Sequence, residues 1–151
     1  MPEKLITVSI VSHGHGQMVN RLVDSLHARC PEVREIIVTR NIADSCPPLD
    51  RPGVRLIDNR HPKGFGANHN NAFKHCKTPY FCVLNPDITL GENPFPPLLS
   101  ALKHTSAALA APLVLTPNGE IEDNVRRFPT LRSLLSKLMA GDKGRYPHSP
   151  G

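Results

Sequence analysis

Residues 5–11, LITVSIV, carry branched and apolar side chains on both faces of an extended chain. A strand with one wet face alternates apolar with polar residues, whereas a strand covered by helices on both sides does not. The stretch therefore predicts an inner strand of a parallel sheet. After the loop SHGHG (12–16), Met18, Val19, Leu22, Val23 and Leu26 recur at helical spacing, and Pro31 closes the segment. EIIV (35–38) reads as the second strand. Asn41 to Gly53 reads as a polar loop rich in Pro and Asp, and VRLID (54–58) as a short third strand. Residues 68–77 have helical character and lead to a fourth strand, PYFCVLN (79–85), apolar enough for burial on both faces. Two strand–helix–strand units imply an α/β fold with right-handed crossovers, whose working loops lie at the carboxyl ends of the strands.

Downstream, Pro96 and Pro97 suit the first turn of a helix carrying Leu98, Leu99 and Leu102. AALAAPLVL (107–115) reads as a further strand, with Pro112 favouring an edge or a bulge. Asn118-Gly119 signals a turn, after which EIED (120–123) returns as a hairpin strand. Leu131, Leu134, Leu135, Leu138 and Met139 then form an apolar helical stripe opposite Arg132, Ser133, Ser136 and Lys137. That stripe has three readings: core packing, a membrane-surface helix, or an exposed face that drives association.

The 151 residues, 39% of them hydrophobic, suffice for one domain with a core. Sixteen prolines and ten glycines mark many turns without forming a repeat or a low-complexity tract. No apolar run approaches the roughly 20 residues of a membrane span, and Met1-Pro2-Glu3-Lys4 leads straight into a strand, so the expected location is cytoplasmic. Cys30, Cys46, Cys76 and Cys82 lack zinc-type spacing and read as reduced thiols. The net charge of +5 resides wholly beyond residue 125, where six Lys and Arg face a single acid, Asp142. That placement argues against a nucleic-acid surface spread over the fold and leaves the basic tail as a peripheral contact for an anionic membrane face or an acidic partner.

Three strand ends are chemically unusual: SHGHG after the first, TRN (39–41) after the second and NPD (85–87) after the fourth. Pro86 lacks an N–H and pushes Asn85 towards an extended backbone, so sheet pairing stops there and Asp87 projects at the ligand-binding edge. A plain turn initiated by Asn-Pro-Asp is the competing reading. A fourth element is HPKGFGANHNNAF (61–73), in which Gly64 and Gly66 allow close backbone approach and positive φ. Asn68, Asn70 and Asn71 add amide donors and acceptors that suit a nucleotide or a sugar. A tight turn with an asparagine helix cap accounts for the same residues.

The order VSIVSHGHG, EIIVTRN, GFGANHNNAF, FCVLNPDITL and NGEIEDNVRRFPT resembles the family 2 glycosyltransferases of GT-A fold, in particular their rhamnosyltransferase-like branch. The likeness covers most of residues 6–130. It implies a Rossmann-like, mostly parallel sheet flanked by helices, with residues 1–130 as the nucleotide-sugar domain and 131–151 as a basic amphipathic helix and tail. By that resemblance, Ser12 and His13 hold the nucleotide, Arg40 and Asn41 meet the base or ribose, and Gly64, Phe65, Gly66 and Asn70 lie along the donor. Asn85-Pro86-Asp87 looks like a variant of the family's D-x-D motif, with Asp87 as the retained carboxylate for Mg²⁺ or Mn²⁺. One carboxylate plus substrate phosphates is a normal ligand set for such a cation. The implied reaction is transfer from a nucleotide-diphosphate sugar to a saccharide or lipid-linked acceptor in polysaccharide biosynthesis, with inversion.

Two positions depart from the pattern. The family usually carries Asp where Arg40 stands, which opens Arg40 to a phosphate contact or to stacking on the base. The family's late acidic pair, which supplies the base, would lie beyond Gly151, so the expectation is a chain truncated before its acceptor half. No catalytic base is assigned. Glu122-Asp123 reads as a solvated hairpin or a substitute base, His13 and His15 as polar loop residues or a metal pair, and Arg126-Arg127 as a solvated pair or a phosphate contact. The alternative to a transferase is a non-catalytic module that holds nucleotide or nucleotide sugar.

Overall fold

Strand β1 (Ile6–His13) sits inside the sheet because both of its edges are paired in parallel, to β2 (Val33–Ile42) on one side and to β4 (Tyr80–Leu84) on the other. Strand β3 (Val54–Asp58) adds to the far edge of β2, giving the order β3-β2-β1-β4. The crossovers run through α1 (Gly16–Arg29) and α2 (Phe65–Phe73), and α3 (Phe95–His104) follows β4. This computed structural model describes residues 2–46 and 50–122. The chain divides into two compact units, Met1–His104 and Thr105–Gly151.

The two faces of the sheet differ in chemistry. Ile6, Val8 and Ile10 of β1 join Ile36 and Val38 of β2 in a cluster with Val19, Leu22, Val23 and Leu26 of α1 and Phe95 of α3. These are the alternate residues of the strands and the i, i+3, i+4, i+7 stripe of the helix, so one apolar layer closes on another. On the opposite face the β1 residues between them, Thr7 and Ser9, are small and polar, whereas β2 places the apolar Ile37 there. Thr7 Oγ1 bonds Thr78 Oγ1 at 2.8 Å, and Ser9 Oγ bonds Nδ1 of His69, on α2, at 2.8 Å. Helix α2 therefore buries Asn68 and His69 alongside Ala72, and its register depends on hydrogen bonds as well as on apolar contact.

Several expected boundaries shift. Strand β2 continues to Ile42, carrying Asn41 out of the expected loop and into the sheet. The helix expected over 68–77 is Phe65–Phe73, starting at the glycine turn itself. Strand β4 is not covered on both faces as expected: Val83, opposite Ser9 on the face that α2 covers over β1 and β2, is 45% exposed, and among the described residues β4 is an edge strand. Residues 107–115 form no strand. Among the described residues of that unit only an isolated antiparallel bridge joins Leu115 to Ile121. Alanines offer little surface to bury and Pro112 has no N–H for a ladder, so the run cannot support pairing along its length. The hairpin turn itself forms as expected: the Gly119 N–H donates to Thr116 O at 2.9 Å, and Gly119 takes φ +82°. The amphipathic stripe at 131–139, Asp123 and Arg126-Arg127 lie outside the described residues.

All four cysteines are free thiols, and burial pushes Cys30 up to about 11 and Cys82 up to about 12. Thiols held so far above neutrality act as small apolar core residues.

The apolar layer carries most of the stability of this unit. Leu26→Ala, at a side chain with no exposed surface, is expected to cost about 2–5 kcal/mol, whereas Phe73→Ala, at 58% exposure, costs less. Urea denaturation of the two variants checks the order, and an equal loss would mean that the α2 face shares the core.

Candidate functional site

Parallel pairing brings the carboxyl ends of β1, β2, β3 and β4 to one edge, and the unusual loops meet there. The β1–α1 connection turns sharply at Gly14, φ +76°, whose N–H donates to Ile42 O at 3.2 Å. Ser12 is 3% exposed, and its Oγ accepts the His15 N–H at 3.1 Å. The N–H of Gly16, first residue of α1, donates to Asp44 Oδ2 at 2.7 Å, while Asp44 Oδ1 accepts the Cys46 N–H at 3.0 Å. A carboxylate at a helix N-terminus satisfies orphan amides and opposes the helix dipole. The approach is so close that a Cβ on Gly16 would sit 2.5 Å from Cys46 Cβ, which explains the glycine.

The end of β2 is tied to the loop before α2. Asn41, 2% exposed, accepts the Lys63 N–H on Oδ1 at 2.7 Å and donates from Nδ2 to the Lys63 carbonyl at 2.9 Å. Asn59 donates to Asn41 Oδ1 at 2.9 Å and to Asn68 Oδ1 at 2.7 Å, and Asn68 Nδ2 reaches back to Lys63 O at 3.2 Å. Three asparagines thus hold the segment that delivers α2 to the edge. Arg40 forms a two-point pair with Asp58 at the end of β3, 2.5 Å from Nε to Oδ1 and 2.7 Å from Nη2 to Oδ2. These bonds hold the Asp58 carboxyl below its ordinary range. The pair lies at the surface, where it sets orientation more than stability.

Beyond β4 the Ile88 N–H donates to Asn85 O at 3.3 Å, so Asn85-Pro86-Asp87-Ile88 is a turn at the strand end. The turn and the ligand-facing placement are compatible, since Asp87 is exposed and belongs to the lining of a cleft of about 320 Å³. Val11, Pro86, Met18 and Phe65 give that cleft apolar surface, and His13, His15, Asn85 and Asp87 give it polar groups. Of the residues picked out in the sequence, His13, Phe65, Asn85 and Asp87 converge on the cleft. Ser12, Asn41 and Asn68 are buried and bonded within the protein, and Arg40 is engaged by Asp58. Asn70 is exposed on α2 outside the cleft lining.

Gly64 and Gly66 do not take the positive φ expected of them: Gly64, the N-cap of α2, has φ −65° and ψ 160°, and Gly66 is helical. Beyond its chain neighbours and its own helix, a Cβ on either would meet nothing within 4 Å among the described residues. Among the described residues neither backbone conformation nor crowding demands glycine here, and no side chain caps the helix. The expected asparagine cap is absent because Asn68 lies a full turn inside α2, its N–H donating to Gly64 O at 3.1 Å.

His69, Asn59 and Asp44 were not legible as site-building residues. His69 is 5% exposed beneath Phe65, with ring centroids 4.5 Å apart, and its Nε2 has no hydrogen-bond partner among the described residues. Its position on the inner face of a polar helix was the available signal.

Among the described residues no three His, Cys, Asp or Glu side chains group as a metal site, and no helix is long and apolar enough to cross a membrane. The family model described as glycosyl transferase family 2 matches residues 7–148. No curated protein matches the chain significantly.

Burial holds the His69 pKa below the ordinary value of 6.5. The folded chain therefore binds fewer protons at this ring than the unfolded chain, so the ring's contribution to stability is complete above pH 6.5 and is lost as pH falls below it. His69→Asn removes the titration, and the decline of unfolding free energy between about pH 7 and about pH 5 becomes shallower than in the unaltered chain. Denaturation series at both pH values measure it, and equal declines would exclude His69 as a source.

Proposed function

The chain belongs to glycosyl transferase family 2, and from that premise we propose that its cleft binds a nucleotide-diphosphate sugar and serves metal-dependent, inverting transfer to a saccharide or lipid-linked acceptor. The observation that carries the reading is the meeting of three loops on one cleft: His13 and His15 from β1–α1, Phe65 from α2, and Asn85-Pro86-Asp87 from the end of β4. The fold class agrees, with four parallel strands flanked by helices. The rhamnosyltransferase-like branch and a donor domain of residues 1–130 belong to the same proposal.

The residues suit a cation that arrives with its ligand. Asp87 is exposed on a turn and carries no ion pair among the described residues, so its carboxylate is open to Mg²⁺ or Mn²⁺. A single protein carboxylate is sufficient where diphosphate oxygens and water complete the octahedron. The cation, when bound, offsets the charge that develops on the departing nucleoside diphosphate. In the transfer, an acceptor oxygen bonds the anomeric carbon, the bond from that carbon to the diphosphate oxygen breaks, and the acceptor's proton passes to a base that the described residues do not identify.

The glycine turn supports the donor placement. The first-turn amides of α2, which no side chain caps among the described residues, and the side of the helix left open by Gly64 and Gly66 suit an anionic group lying against the backbone. Phe65 and Met18, 57% and 46% exposed, offer apolar surface to a base or a sugar face. The basic segment beyond residue 125 is assigned peripheral contact with an anionic membrane surface, on its sequence and charge alone.

Two measurements test the proposal. Calorimetry with Mn²⁺ and a panel of UDP, GDP, ADP and dTDP is expected to show one nucleotide bound in a metal-dependent manner, and Asp87→Ala to remove that dependence with the unfolding midpoint unchanged. Failure of all four to bind sinks the donor site, and undiminished Mn²⁺ dependence in the variant sinks the Asp87 assignment. Sugar release from the matching nucleotide sugar separates a transferase from a module that only binds. Gly66→Ala is expected to move two properties in opposite directions, raising stability by about 0.5–1 kcal/mol through helix propensity while weakening nucleotide binding. Unchanged affinity would mean that the ligand does not approach the α2 backbone.

A further inference from the structure

The two histidines of the β1–α1 loop are fixed as hydrogen-bond donors by contacts that reach back into the protein. Lys63 presents one backbone N–H and one carbonyl, and Asn41 bonds both, through Oδ1 at 2.7 Å and Nδ2 at 2.9 Å. Turning the amide over would set donor against donor and acceptor against acceptor, so its orientation is determined. Asn59 Nδ2 donates to the same Oδ1 at 2.9 Å and reinforces it. The second hydrogen on Asn41 Nδ2 is directed to His13 Nδ1, 3.1 Å away. That ring nitrogen must accept, and the neutral ring then carries its proton on Nε2. His15 arrives at the same tautomer by another route, because the backbone N–H of His13 donates to its Nδ1 at 3.3 Å. The rings are 6.4 Å apart, both line the cleft with Asp87, and Nε2 is the ring nitrogen each has left for a ligand.

A protonated Nε2 has no lone pair to give a metal ion, and a histidine that binds metal through Nε2 donates from Nδ1 instead. We infer that His13 and His15 form a fixed pair of Nε2–H donors to the oxygen atoms of a nucleoside diphosphate, not a metal pair, and that Asn41 is the positioning residue that holds His13 in this tautomer. The identity of the ligand rests on the transferase reading, whereas the tautomer is independent of it. The cleft thereby divides its polar work: Asp87 supplies negative charge for a cation, and the two imidazoles supply directed hydrogens for oxygen. It also gives the buried Asn41 a functional consequence without requiring it to touch the ligand.

Long-range ¹H–¹⁵N spectra of the full chain, without ligand and at mildly alkaline pH, read the tautomers directly. The expected result is a proton on Nε2 of both rings, and a proton on Nδ1 of either overturns the assignment. Asn41→Asp keeps an acceptor for the Lys63 N–H but sets its second oxygen against the Lys63 carbonyl, which Asn68 Nδ2 still serves at 3.2 Å, so the variant is read beside the spectra of the unaltered chain, which decide the tautomer by themselves. A carboxylate beside His13 draws the proton to Nδ1, so this variant should reverse the His13 tautomer and leave that of His15 alone. A merely structural role for Asn41 would not reverse it. For the ligand half, the Mn²⁺–nucleoside diphosphate that binds best in the panel is titrated into two variants. His13→Gln, whose terminal amide can present a hydrogen near the Nε2 position, should bind within about threefold of the unaltered chain, and His13→Asn, which cannot, should bind at least about tenfold more weakly. Wild-type affinity in His13→Asn, measured on protein with an unchanged unfolding midpoint, overturns the donor role. If no nucleoside diphosphate binds the unaltered chain, the transferase reading and the ligand half fall together, while the spectra still decide the tautomer.

Discussion

Parallel pairing of β1 on both edges is the constraint from which the rest follows. A strand with a neighbour on each side has every backbone group committed, and in a parallel sheet all strands deliver their carboxyl ends to one side. The register opposes Ser12 to Arg40 and Ile10 to Leu84, so the β1 loop lies between the end of β2 and the turn beyond β4. Were either pairing antiparallel, the NPD turn or the TRN segment would fall at the opposite edge and no shared cleft could form. The chemistry proposed for Asp87 is in this sense a consequence of strand direction.

The same strand divides the two faces into different kinds of packing. Its Ile6, Val8 and Ile10 side chains make an apolar layer with α1, which tolerates small adjustments because dispersion contacts have no preferred direction. Its Ser9 instead meets His69 through a directed hydrogen bond, and Asn68 joins the Asn41–Asn59 cluster. Helix α2 thus gains a determined register at the cost of burying polar atoms, one of which, His69 Nε2, has no partner among the described residues. That trade suits a helix whose first turn borders a ligand cleft: position matters there more than stability.

How much of this could be read beforehand follows from the range of the interactions. The β1 strand and the α1 stripe were legible because their signal is local periodicity, and the turn at Asn85-Pro86-Asp87 was legible because Pro86 acts on its immediate neighbours. The segment at 107–115 misled because alanine and leucine suggest burial by composition, while Pro112 and the scarcity of branched residues oppose a ladder. Asn41 illustrates the deeper limit. Next to Arg40 at a strand end it looked like a ligand contact, and its partners include both backbone groups of a residue 22 positions away, with the side chains of Asn59 and His13 beside them. No spacing rule announces such a bond. Gly64 and Gly66 were singled out partly for a positive φ that neither adopts: their backbone conformations are those any residue can take.

Those glycines and Asn41 together sharpen what the site requires. A glycine where neither φ nor packing among the described residues needs one leaves open space, and the space at Gly64 lies next to Lys63, the residue whose backbone Asn41 holds. The opening and the clamp are consecutive in the chain, so the clamp fixes where the opening faces. His13 is held by the same amide, which means that one side chain sets the position of the α2 entrance and the direction of a hydrogen donor at the cleft. Loss of Asn41 would therefore disturb two walls of the cleft at once, whereas loss of Asp87, on a turn with no such ties among the described residues, would alter charge and leave the walls in place.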